Sequence, residues 1–67
     1  GEIKRAIKAA TNELPEKQRT AFILKYLQDL KIKDVSAIMG ISEGTVKKYL
    51  FRAMEKMRIQ LKEYRYV

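Results

Sequence analysis

The segment from Val35 to Leu50 limits what this chain can fold into more than any other, because its residues spell a helix, a tight turn and a second helix. An apolar-periodic run ends at Met39, and Gly40 follows where a chain leaving a helix often needs a positive φ. Ser42 then suits the cap of the second helix: its hydroxyl can accept from the backbone N–H of Gly44 or Thr45, while Glu43 places a negative charge in the first turn. Ile41 before the cap and Val46 at the fourth helical position have the spacing of a hydrophobic staple, which predicts a fixed angle between the helices. Such a helix-turn-helix presents its second helix as a rigid probe carrying Thr45, Lys47, Lys48 and Arg52. The expected target of the probe is a DNA major groove.

Around this motif the spacing predicts an all-α fold, a small four-helix domain with helices over about 2–13, 15–28, 32–39 and 43–64. Ile3, Ala6, Ile7 and Ala10 fall on one helical stripe, with Lys4, Arg5 and Lys8 off it. Leu14-Pro15 ends that helix, because a residue before proline is pushed out of the helical region, and the next helix is expected to begin at Pro15. Its apolar face is Phe22, Ile23, Tyr26, Leu27 and Leu30. The third helix has Val35, Ile38 and Met39 as its core stripe. Lys31 cannot cap it, so fraying or a substitute cap from Asp29 or Asp34 is expected. In the fourth helix Val46, Leu50, Ala53, Met54, Met57 and Leu61 share one arc read as core, and Gly44, Thr45, Lys48, Arg52 and Glu55 face outward. Phe51 lies at the edge of that arc, free either to meet a thymine methyl or to pack against the third helix. Tyr64, Tyr66 and Val67 form an apolar tail that frays, docks on the first helix or meets a partner.

Sixty-seven residues make one domain, 1–67, with net stability on the order of 3–5 kcal/mol, and no broad ligand cavity is expected within it. The 15 Lys and Arg against 8 Asp and Glu give a net charge of +7, consistent with a nucleic-acid partner or with a merely solvated basic surface. Residues 42–67 hold seven Lys and Arg against three Glu, so the basic excess follows the probe helix. Without cysteine or histidine the chain has no thiolate or imidazole metal ligand, no Cys nucleophile and no His general base. No base is positioned to activate either serine, so no enzyme, metal or cofactor is expected. The longest apolar run, Ala21 to Leu24, is far short of the roughly 20 residues that cross a bilayer. The chain reads as an excised domain of a cytoplasmic protein.

The probe helix carries both kinds of group that DNA recognition uses, phosphate contacts that position and base contacts that specify. Ser42 and Thr45, at the positive end of the helix dipole, could hold a phosphate. Lys48 and Arg52 lie one turn apart, and Arg is the side chain best shaped for O6 and N7 of guanine. Glu43 either accepts from a cytosine amino group or serves only as a first-turn charge. Lys47 is a phosphate clamp or an ordinary solvated lysine. Gly44 weakens the helix, which suggests a close approach there.

Together these residues resemble region four of bacterial sigma factors of the sigma-seventy family, most closely the extracytoplasmic-function group. The resemblance is carried by Leu14-Pro15-Glu16-Lys17-Gln18-Arg19, by Phe22-Ile23-Leu24-Lys25-Tyr26, by Ile38 through Lys47 and by Leu50-Phe51-Arg52-Ala53. It implies binding to the upstream promoter element near minus thirty-five, within a sigma factor that directs RNA polymerase to initiate transcription. Ser42, Glu43, Thr45, Lys47, Lys48 and Arg52 would inherit the DNA-facing places. It also implies docking on the flap of the polymerase β subunit, an anti-sigma factor as a further partner, and a place at the bacterial nucleoid. Three places depart from the family pattern. Lys48 and Tyr49 stand where a small Ser or Thr and then a basic residue are usual, Lys31-Ile32 replaces Ser-Tyr, and Ser36 replaces Ala. Two other readings stay open: the DNA-binding output domain of a LuxR-type response regulator, which shares the Ile-Ser-Glu-x-Thr-Val-Lys run, and a basic helical protein-interaction module.

Overall fold

Glycine, proline and one aspartate set the boundaries of four helices. The computed structural model describes residues 1–62, and among these the chain forms α1 (Glu2–Asn12), α2 (Glu16–Phe22, continuing as a π-helical turn over Ile23–Leu27), α3 (Ile32–Met39) and α4 (Glu43–Gln60). No strand occurs among the described residues. Tyr64, Tyr66 and Val67 lie outside them.

Pro15 is the residue before α2 rather than its first helical position: its ψ of 150° is extended, and its carbonyl accepts from the N–H of Arg19 at 2.8 Å. The Arg19 guanidinium in turn donates to the carbonyl of Asn12 at 3.3 Å, tying the end of α1 to the start of α2. The π turn is closed by Gln28 N–H on the Ile23 carbonyl, at 3.0 Å. Beyond it Asp29 takes φ +56°, a left-handed conformation that aspartate tolerates better than most residues. α3 begins after Lys31 without a side-chain cap, and neither Asp29 nor Asp34 supplies one.

The core has two parts. Ala10, Leu14, Phe22, Ala53 and Met57 form one cluster, with Ile7 and Leu61 against it. Ala21, Val35, Val46 and Leu50 form the other, covered by Leu24, Leu30, Ile32, Met39, Ile41 and Tyr49. α4 supplies residues to both. Val35 and Val46 are fully buried, a burial that stabilises by about 1.5–3 kcal/mol for a side chain of this kind.

Four expected core positions are exposed instead: Tyr26, Leu27, Ile38 and Met54. The π turn places one more residue in a turn than an α-helix does, so the face that would have carried Tyr26 and Leu27 inward is rotated and Leu24 packs inside. Tyr26 still stacks on Phe22, with ring centroids 5.3 Å apart. In α3 the inward direction is set by Val35 and Met39, which leaves Ile38 outside. α4 ends at Gln60, short of the expected residue 64. Leu61 leaves the helical region at φ −99°, ψ 10° and packs against the cluster that contains Met57.

Candidate nucleic-acid interface

The joint between α3 and α4 is built as the residues require. Gly40 is left-handed, φ +67° and ψ 35°, and its N–H and that of Ile41 both reach the carbonyl of Ser36, at 2.9 and 3.2 Å. The Ser36 hydroxyl donates back to the carbonyl of Ile41, so one residue of α3 is bonded to the turn from both its backbone and its side chain. Ile41 packs against the cluster holding Val46, as a staple should.

Ser42 caps α4. Its Oγ accepts from the Thr45 N–H at 3.1 Å and shares a second hydrogen bond with Thr45 Oγ1 at 2.9 Å. Whichever hydroxyl donates within that pair, the hydrogen of the other is left for an acceptor outside. The first turn of α4 thus offers a hydroxyl donor and the positive end of the helix dipole together, the pairing that holds phosphate groups.

Of the six expected DNA-facing residues, Ser42, Glu43, Lys47, Lys48 and Arg52 are exposed and Thr45 is half-buried. All six lie on the cap or the first turns of one helix. Among the described residues the only ion pair is Arg58 with Glu55, at 3.8 Å, so Lys47, Lys48 and Arg52 face solvent without a carboxylate partner. Gly44 is exposed, and a Cβ built there would meet only Ser42 Oγ, at 3.9 Å. Phe51 is 66% exposed and lines an apolar groove with Ile3, Ile7 and Met54.

Sequence reasoning left out Lys31 and Lys33, which are exposed at the start of α3. In helix-turn-helix proteins the corresponding first helix crosses the DNA backbone. A second surface lies farther along α4, toward its C-terminal end. Ile3 and Ile7 of α1 with Met54, Ile59 and Leu61 line an apolar groove, edged by Glu55, Arg58 and Lys62. No described helix is long and apolar enough to cross a membrane.

A family model described as Sigma-70, region 4 matches residues 4–57. The RNA polymerase sigma factor SigV of Bacillus subtilis is 44% identical over 52 residues, covering 78% of this chain and 31% of that protein. Two other factors of the same organism, described as ECF RNA polymerase sigma factors, are similar as well. SigM is 42% identical over 57 residues, covering 85% of this chain and 35% of that protein, and SigW is 36% identical over 62 residues, covering 92% and 33%. This chain therefore spans about a third of the length of the curated relatives it matches. The chain belongs to the sigma-70 region 4 family, in its extracytoplasmic-function group.

Proposed function

We propose that this domain binds the promoter element near minus thirty-five as part of a sigma factor that directs RNA polymerase to initiate transcription. The observation that carries the reading is the row of exposed cations, Lys47, Lys48 and Arg52, without a carboxylate partner among the described residues, on a capped helix held by a hydrogen-bonded turn. Lys47 and the Ser42–Thr45 hydroxyl pair bind phosphates, and Lys31 and Lys33 extend that contact along the backbone from α3. Arg52 reads a base edge, with guanine as its preferred partner. Glu43 supports the dipole or accepts from cytosine.

In this reading residues 1–67 are one domain of a longer protein that works in the bacterial cytoplasm at the nucleoid. The apolar groove between α1 and α4 is the surface offered to the flap of the polymerase β subunit, and an anti-sigma factor is a further partner. The domain itself performs no reaction. A salt titration of duplex binding tests the proposal. Affinity should fall log-linearly with salt, with a slope of about −0.9 for each phosphate neutralised. Arg52→Ala should narrow the difference in affinity between promoter sequences. Failure of any duplex to be enriched from a randomised pool, with flap binding retained, would remove the promoter-reading claim.

A further inference from the structure

We infer that Lys48 is a specificity-determining residue, donating from its ammonium to the O6 and N7 of a guanine. The inference rests on the DNA-binding reading above. Its ground is the position of Lys48 relative to the buried stripe of α4. At 100° per residue Lys48 lies about 200° round from Val46, almost diametrically opposite Val46, Leu50, Ala53 and Met57, whereas Lys47 lies only about 100° round, on the flank. A helix lying in the major groove turns its outward centre to the base edges and its flanks to the phosphate walls. Lys48 is exposed and has no carboxylate partner among the described residues.

The neighbours of Lys48 reinforce this assignment. Gly44 stands one turn earlier, and helical side chains lean toward the N-terminus, so the lysine stem is directed over the one position that has no side chain. The space above Gly44 is open except for Ser42 Oγ, 3.9 Å from where a Cβ would sit, which lets a base edge approach the backbone there. Tyr49 is half-buried and packs against the cluster of Val35, Val46 and Leu50. Position 49 therefore presents no charge to the groove, and Lys48 is the cation nearest its floor.

Selection from a duplex pool randomised over the recognised hexamer tests this with the 67-residue chain, Lys48→Gln and Lys47→Gln. Gln pairs with N6 and N7 of adenine, so Lys48→Gln should change the preferred base at one position from guanine toward adenine and keep the others. Discrimination at that position should change by about 5- to 100-fold, as for a bidentate base contact. Lys47→Gln should keep the whole sequence preference, weaken all duplexes alike and reduce the salt slope by about one. The same preferred sequence from Lys48→Gln, bound uniformly more weakly, would make Lys48 a phosphate contact and overturn the inference alone. Failure of the unsubstituted chain to enrich any duplex would overturn the promoter reading and this inference with it.

Discussion

Ser36 and Ile41 are joined twice, by the Ile41 N–H on the Ser36 carbonyl and by the Ser36 hydroxyl on the Ile41 carbonyl. The side-chain bond closes a ring around Gly40 that alanine at position 36 could not make. Ser36→Ala should lower stability by about 1 kcal/mol, read from a chemical denaturation midpoint at unchanged m-value. No change in midpoint would mean that water replaces the hydroxyl at no cost.

Gly40→Ala and Gly44→Ala should act in opposite directions. A Cβ at Gly40 meets nothing within 4 Å, so its cost is that of the left-handed backbone alone, about 1–2 kcal/mol, which lowers Tm by roughly 4–8 °C per kcal/mol. Gly44 is helical and its surroundings are open, so Gly44→Ala should raise stability by about 0.5–1 kcal/mol while weakening duplex binding. Thermal melts and a binding titration on the same two variants check both signs.

The cap of α4 allows stability and binding to be separated at one residue. Ser42→Ala removes the acceptor for the Thr45 N–H and should cost about 1 kcal/mol. Ser42→Asp restores a cap of equal quality but places a carboxylate where a phosphate is proposed to sit. It should melt near the unsubstituted temperature and bind duplex less well than Ser42→Ala does. Equal binding by the two would place the phosphate elsewhere.

Leu50 and Phe51 are neighbours with opposite roles. Leu50 is 6% exposed in the core, and Leu50→Ala should cost about 2–5 kcal/mol, enough to unfold most of a domain whose stability is of that order. Phe51 is 66% exposed, and Phe51→Ala should stay within about 0.5 kcal/mol of the parent. Far-ultraviolet circular dichroism during a melt distinguishes them.

Ile59 is 72% exposed in the groove between α1 and α4. Ile59→Asp should abolish binding to an isolated β flap while leaving the salt slope of duplex binding unchanged. Retained flap binding would mean that the flap uses another face.

Much of this was legible in the residues because local chemistry decided it. Gly40, Ser42 and the Ile41–Val46 pair each have one strongly preferred role, and each occupies it. The errors arose where a 3.6-residue period was assumed and did not hold, or where a short helix left two directions open. No residue type announces a π turn, so Tyr26 and Leu27 were placed one step out of phase. In α3 Ile38 and Met39 differ by a single 100° step, and only contact with α4 and the turn decides which points inward. On α4 the spacing from Val46 was enough to place Lys47, Lys48 and Arg52 on the outward face, where they are exposed, but their lack of a carboxylate partner among the described residues depends on tertiary packing that local spacing does not encode.

α4 spans 18 residues, about 27 Å, and is buried into one cluster through Val46 and Leu50 and into the other through Ala53 and Met57. A rod clamped at two points along its length transmits torque instead of absorbing it. A pull on the groove end, near Ile59, would therefore reach Lys48, roughly 16 Å along the same rod, as a change of heading of comparable size. In the proposed function, the angle at which this domain meets a promoter then depends on whatever holds its far end as much as on the DNA.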